Sequence, residues 1–307
     1  MLAAEVYRQQ AALLVRTLPF VAAETCFALK GGTAINLFLR DLPRLSVDID
    51  LTYVPVADRR ASLANIDAAM RRIAETIGRG IPGARVIPGT PRGEECVTKL
   101  FVRAAGVQIK IEVTPVLRGC VYEPVMMRVS APVEDQFGFA ETQVVSFADL
   151  YAGKLVAALD RQHPRDLFDV QDLLAHEGIS DELRKAFIVY LLSHDRPMAE
   201  LLRPTPRDVA AEFDRGFAGM TERPVTVAQL LEAREDLIAG IVGKMPPEHR
   251  RFLLSFKNGK PDWELLGLPG VEALPAVRWR LENLAKLARV KRSALIAKLT
   301  TVLEMEV

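Results

Sequence analysis

Apolar positions recur at helical spacing over residues 5–18, and again over 58–78, where Leu63, Ile66, Ala69, Met70, Ile73 and Ile77 share one face. Between these helices the period changes. Residues 21–29, VAAETCFAL, close on an apolar run that reads as a helix end or as a short buried strand. Residues 30–33, KGGT, form a glycine turn ahead of an apolar helical stretch, AINLFLRDL. Residues 46–54, SVDIDLTYV, alternate and are rich in β-branched side chains, which predicts a strand. Further strands are predicted over 85–88, 97–103 and 107–113, with a hairpin turn over 103–106. The last of these alternates strictly: Val107, Ile109, Ile111 and Val113 face one way, and Gln108, Lys110 and Glu112 the other. Residues 143–146 are read as an added edge strand.

From there the pattern is helical. Ser146 and Asp149 have capping-box spacing at the start of a helix over 147–160, and Pro164 opens another that runs to about Ala175. Ser180, Thr205 and Thr226 read as later N-caps, with Thr205/Asp208 and Thr226/Gln229 at box spacing. A Gly/Pro-rich loop over 257–275 precedes a final helix, about 276–303, with seven basic residues between Arg278 and Lys298 against one acid, Glu282. The expected fold class is α+β. A domain over 1–145 carries a small mixed sheet, and a mainly helical domain over 146–307 follows it.

The composition is that of a folded chain. Of 307 residues, 50% are apolar and 26% charged, enough for a core of normal size and too ordered for bulk disorder. With 40 basic and 39 acidic residues the net charge is +1, which excludes a polybasic coat protein but leaves room for a local nucleic-acid patch. Cys26, Cys96 and Cys120 show no metal-ligand spacing, so a reduced, cytoplasmic protein is expected, with Cys26 and Cys120 as small buried apolar residues. No signal-peptide pattern opens the chain and no stretch approaches a membrane span, so no membrane partner is expected.

The candidate chemistry begins with Asp48 and Asp50. One residue apart on a strand, both carboxylates face the same way while Ile49 and Leu51 enter the core. Such a pair repels itself and suits a hard divalent cation, although two acids on a solvated face give the same pattern. Just upstream, Gly31, Gly32 and Thr33 sit at a helix start, where bare backbone amides and the helix dipole favour a phosphate; the alternative is an ordinary turn capped by Thr33. Glu112 lies on the polar face of a strand that can pair beside 46–54. It can complete a two-ion site, or it can form a cross-strand ion pair with Lys99, Arg103 or Lys110.

In this order, GlyGlyThr, a short helix, SerValAspIleAspLeu, and IleGluVal on a later strand resemble the nucleotidyltransferase superfamily with the polymerase-β-like core. LeuTyrAlaGlyLysLeuValAlaAlaLeu at 150–159, ArgAspLeuPheAspVal at 165–170 and the loop at 261–279 resemble its AbiEii-type toxin branch. The resemblance implies a metal-dependent transfer of a nucleoside monophosphate from an NTP, with Mg²⁺ or Mn²⁺ held by Asp48, Asp50 and Glu112. It implies nucleotide contacts from Gly31, Gly32, Thr33, Ser46, Lys154 and Arg165. Lys154 matches the helix lysine that touches the phosphates, and Asp166 and Asp169 match a motif of which one aspartate is essential. Glu112 stands where some relatives carry Asp. The acceptor implied is the 3′ end of tRNA or another RNA, and the partner implied is a cognate antitoxin.

Tyr151, one turn before Lys154, is placed to stack on a base or to fill the core. Arg165 and Asp169, four apart, can also simply pair with each other. His163, His176, His194 and His249 have no metal spacing, and His163 reads as a cap or loop residue. Two other functions fit a D-x-D strand. One is a metal-dependent glycosyltransferase, against which the short lead before Asp48 and the GlyGlyThr turn both argue. The other is a regulator that binds NTP without transferring from it, against which the complete acid set argues.

Overall fold

The computed structural model describes residues 3–90, 96–221 and 223–304. The chain divides into two compact units, Met1–Ser146 with Gly219–Pro224, and Phe147–Ala218 with Val225–Val307.

The first unit is built on one seven-stranded mixed sheet. In chain order its elements are α1 (Ala3–Ala22), β1 (Phe27–Lys30), α2 (Gly31–Ala34) running into a wider helical turn over Ile35–Leu39, β2 (Asp48–Tyr53), α3 (Arg59–Gly80), β3 (Arg85–Gly89), β4 (Lys99–Ala104), β5 (Val107–Arg118), β6 (Val125–Arg128), α4 (Ala131–Phe137) and β7 (Glu141–Val144). The strands lie in the order β3-β4-β5-β2-β1-β7-β6. β2 pairs in parallel with β5 and antiparallel with β1.

Alternation decides which face each side chain takes. Val113, Leu51, Leu29 and Val144 stand in one transverse row, all essentially buried. α1 packs against β5 and β7, and α3 against β3 and β4. Tyr53, on this aliphatic face, accepts a hydrogen bond from Asn65 of α3 at 3.1 Å. The opposite face carries the charged residues.

The sheet is larger than the sequence pattern indicates. Pro115 cannot donate to a ladder, so the alternation ends at Val113, yet β5 runs on to Arg118. The pairing with β2 shifts register between Leu51 and Tyr53, and so carries the strand past the proline. β6 was not foreseen because its face pattern is mostly exposed. It pairs with β7, so the segment read as an edge strand is an interior one, hydrogen-bonded to β1 on its other side. Residues 219–224 rejoin this unit: Leu45 N–H donates to the Met220 carbonyl at 3.1 Å, and Arg44 bridges to Thr221.

The second unit is helical. It comprises α5 (Phe147–Arg161), α6 (Pro164–His176), α7 (Asp181–Ser193), α8 (Met198–Leu202), α9 (Ala210–Gly216), α10 (Val227–Ile238), α11 (Pro247–Lys257), α12 (Pro275–Ala285) and α13 (Arg289–Glu304). α5 packs on α6 and α7, α6 on α10, and α11 on α13. Ser180 and His163 cap their helices, and Thr226 with Gln229 forms the reciprocal box. Thr205 caps nothing; its carbonyl accepts from Gln162 Nε2 at 2.8 Å, and Asp208 instead caps the turn at Ala210. The long final helix is two. The Leu284 carbonyl accepts from Leu287 N–H at 3.2 Å and from the Arg292 guanidinium, and this tight turn ends α12 before α13 begins. Among the described residues no helix is long and apolar enough to cross a membrane. All three cysteines are half-buried rather than core residues.

Candidate active site

The glycine turn and the D-x-D strand meet inside the first unit. Gly31 has φ +75°, a conformation that costs an L residue about 1–2 kcal/mol. A Cβ on it would also lie 2.7 Å from Asp50 Oδ2 and 3.2 Å from Asp50 Cβ. The Asp50 carboxylate therefore lies directly over a backbone that only glycine can supply. Gly32 is crowded from another side: a Cβ there would come 2.6 Å from an Arg44 guanidinium nitrogen and 3.1 Å from Ser46 Oγ. Asn36 fastens the turn, donating to the Gly32 carbonyl at 2.7 Å and accepting from Arg44 N–H at 3.3 Å.

Thr33 is buried. Its hydroxyl donates to the Asp48 carbonyl and lies 2.9 Å from Ser46 Oγ. Since its only proton goes to Asp48, Ser46 is the donor between the two hydroxyls. Thr33 and Ser46 thus tie the turn to the first residue of β2.

Across the polar face of the sheet, Lys99, Glu112, Asp50 and Lys30 occupy one transverse row on β4, β5, β2 and β1. Lys110 and Asp48 stand side by side in the next row of that face. Glu112 Oε1 is 2.8 Å from Lys99 Nζ, and Oε2 is 2.8 Å from Lys110 Nζ. Lys110 Nζ also lies 3.8 Å from Asp48 Oδ2. Lys30 donates to Thr114 Oγ1 at 3.2 Å.

Burial raises the Asp50 pKa, with the Lys30 charge opposing it and Asp48 adding to it. Burial lowers the Lys30 pKa, partly countered by Asp50. Burial also acts against the charge on Glu112, but its hydrogen bonds from Lys110 and Lys99 prevail and hold it below the usual carboxylate range. Lys110 keeps its proton more firmly than a free lysine, because Glu112, Asp48 and Asp50 outweigh its burial.

These donors fit a magnesium-type ion in one way. Mg²⁺ is commonly held by one or two carboxylates together with substrate phosphates, and Asp48 and Asp50 supply such a pair, with Asp50 against the glycine turn. Among the described residues, no three His, Cys, Asp or Glu side chains converge closely enough to hold a metal by themselves. Glu112 shares the face with the pair but spends both oxygens on lysines, the cross-strand ion-pair arrangement weighed above.

Within the second unit, α5 and α6 bring Lys154, Asp166 and Asp169 together. Lys154 Nζ on α5 lies 2.8 Å from Asp166 Oδ1 and 2.8 Å from Asp169 Oδ2 on α6, and these side chains are 6%, 1% and 1% exposed. Arg161 adds a second cation, its terminal nitrogen 3.0 Å from Asp166 Oδ1. Burial pushes the Asp166 pKa up, but Lys154 and Arg161 more than reverse this and hold it far below the ordinary value. Arg165 does not pair with Asp169. It donates to the Gly216 carbonyl at 3.2 and 3.0 Å, while Asp169 turns to Lys154. Tyr151 is fully buried against Phe147, so it is a core residue and not a stacking platform.

Two lysines of the first unit, Lys30 and Lys110, stand beside the carboxylates without having been among the predicted metal or nucleotide ligands. Lys110 had a signal, since the alternation of 107–113 puts it on the face of Glu112. Lys30 had none, because its nearness to Asp50 depends on β1 pairing with β2.

The whole pattern, from the glycine turn to the α6 aspartates, lies within residues 12–283, which match the family model described as nucleotidyl transferase AbiEii toxin, type IV toxin–antitoxin system. The chain belongs to the AbiEii nucleotidyltransferase toxin family. AbiEii membership makes it a nucleotidyltransferase toxin of a type IV toxin–antitoxin system, and gives it an antitoxin partner and an NTP substrate. Among solved structures it is similar to MenT4, a nucleotidyltransferase toxin from Mycobacterium tuberculosis H37Rv. The identity is 16% and the TM-score 0.61, over 95% of this chain and 93% of that one, a likeness of fold. A comparison with curated proteins returned no match.

Two outcomes follow for the AbiEii chain. Gly31→Ala should lose at least about 1–2 kcal/mol from the backbone conformation alone, with displacement of Asp50 added to it, read by denaturant unfolding against Gly83→Ala, which has φ +72° but nothing within 4 Å of its Cβ. Equal losses would show that Asp50 does not constrain the turn. Asp166→Asn should cost about 3–5 kcal/mol near neutral pH. Because the folded-state pKa of Asp166 is depressed, its contribution is full above the ordinary carboxylate range and disappears as pH falls below about 4. The gap between wild type and Asp166→Asn should therefore narrow on acidification, and a gap constant from pH 7 to 3 would contradict the ion cluster.

Proposed function

We propose that this toxin transfers a nucleoside monophosphate from an NTP to the 3′ end of an RNA, with tRNA as the expected acceptor, and that the reaction depends on Mg²⁺ or Mn²⁺. The observation that carries the reading is the Asp50 carboxylate lying against the Gly31 turn, with Asp48 beside it on the same strand. Gly31 and Gly32 let the turn lie close against β2, and Asp48 and Asp50 would hold a divalent cation there, beside which substrate phosphates would bind. A divalent ion held there would supply charge neutralisation to the phosphates.

The remaining work falls to the chain. Thr33 and Ser46 fix the turn against β2, so the carboxylates and the phosphate cradle keep one geometry. Lys30 and Lys110 place positive charge where it grows negative on the leaving pyrophosphate. Glu112 holds Lys99 and Lys110 in place. The acceptor hydroxyl oxygen bonds to the α-phosphorus, its proton is released, the α–β bridging bond breaks and pyrophosphate leaves. The roles of Lys154, Arg165, Asp166 and Asp169 rest on the family resemblance: phosphate contact for Lys154 and Arg165, and an essential charge on one of the two aspartates.

A surface of the second unit supports an RNA acceptor. Trp279 is 57% exposed, with Lys286 Nζ 5.9 Å from its ring centre. Arg278, Arg289, Lys291 and Lys298 lie on the same two helices, and no carboxylate pairs with them among the described residues. A lysine against an exposed aromatic ring, with further unpaired cations along α12 and α13, suits a phosphate backbone with unstacked bases. Both substrates place the reaction in the cytoplasm.

The test is incubation of the protein with each α-labelled NTP, total RNA and Mg²⁺, followed by sizing and 3′-end mapping of the label. Label should appear on RNA of tRNA size and vanish in chelator. Asp48→Ala should lower transfer by at least about 10²–10³-fold. Transfer from a nucleotide-sugar alone, or NTP binding with no transfer, would replace this reading with one of its rivals.

A further inference from the structure

The carboxylates on the polar face of the sheet are already answered by cations of the chain. Lys110 Nζ lies 2.8 Å from Glu112 Oε2 and 3.8 Å from Asp48 Oδ2, so one ammonium bridges carboxylates on two neighbouring strands. A second divalent ion, sharing Asp48 with a third acid, would need the same place. Lys99 closes the other side of Glu112 at 2.8 Å. Glu112 can become a metal ligand only by giving up a lysine, and Lys99 and Lys110 together bring to it the charge of one divalent ion.

Geometry separates the two kinds of cation. A Mg²⁺ ion pulls its oxygen ligands to about 2.0–2.1 Å and demands octahedral order, whereas an ammonium works at hydrogen-bond distance with three donors on a flexible stem. The spacing around Lys110 is that of the ammonium. The β2–β5 register makes the arrangement permanent, since Asp48 pairs with Lys110 and Asp50 with Glu112. Asp50 differs from Glu112. It lies over the glycine turn and shares Asp48's strand, which leaves Asp48 and Asp50 to take an ion together with substrate oxygens.

We propose that Lys110, backed by Lys99, stands in for the second cation of a two-ion nucleotidyl-transfer site, so that the protein binds a single divalent ion, at Asp48 and Asp50. Lys110 is then a positioning residue: it fixes the Asp48 and Glu112 carboxylates and keeps a constant positive charge where a second ion would come and go. The inference rests on the proposed cation dependence of the reaction, and Mn²⁺ alone tests both without turnover.

Bound Mn²⁺ per chain is counted from loss of the free-ion paramagnetic resonance signal on titrating the full-length protein. The wild type should bind one Mn²⁺, lost in Asp48→Asn. Lys110→Met should bind two, the second lost again in a Lys110→Met/Glu112→Gln double variant, and Lys110→Arg should still bind one. Lys110 is 30% exposed, and retention of the Asp48-dependent ion in Lys110→Met reports that the sheet is intact. If Lys110→Met loses that ion, Lys110→Gln provides the count, with a second ion again expected. Two ions in the wild type, or a single ion in the Lys110 variant that provides the count, would overturn the inference and leave the cation-dependent reaction standing. No ion in the wild type would overturn both.

Discussion

Three carboxylates on two adjoining strands set the terms for the rest of the first unit. Asp48 and Asp50 on β2 and Glu112 on β5 are brought together by strand register, and register is held by what lies beneath them. Ile49, Leu51, Ile111 and Val113 fill the opposite face, and a slip of one residue would exchange buried aliphatic side chains for charged ones. The aliphatic core thus forces like charges together. Lys30, Lys99 and Lys110 make that arrangement tolerable, each arriving on a different strand or a different row. The glycine turn obeys the same constraint, because Asp50 needs the space that a Gly31 side chain would take.

The second unit solves the opposite problem. Lys154, Asp166 and Asp169 are nearly inaccessible, and a buried ionic group is stable only with all its partners present. α5 and α6 pack side by side so that one lysine meets two aspartates three residues apart on the next helix, and Arg161 closes the outer side.

Much of this was legible in the chain because local rules carried it. Strand alternation placed Asp48 and Asp50 on one face and Glu112 with Lys110 on another strand's polar face, and the expected pairing of 107–113 beside 46–54 is the β2–β5 ladder. The GlyGlyThr signal located a turn that does require glycine. What escaped depended on contacts distant in sequence. The i, i+4 spacing of Arg165 and Asp169 suggested a pair, but a lysine on the neighbouring helix and a carbonyl at Gly216 were better partners. Thr205 had the composition of a cap but lies in extended chain bonded to Gln162. β6 lacks alternation, being mostly exposed, so only its pairing with β7 reveals it. The final helix kept its period through Lys286, while the break depends on Arg292 reaching back to Leu284.

The return of residues 219–224 to the sheet-bearing unit makes that unit discontinuous along the chain. The strip that hydrogen-bonds to Leu45 and bridges to Arg44, just ahead of the D-x-D strand, is synthesised only after the five helices α5 to α9 of the other unit. A nascent toxin therefore cannot finish the segment that leads into its acidic strand early. A fragment ending at Ser146 would lack this strip altogether, so the two halves of the gene cannot be separated cleanly at that point.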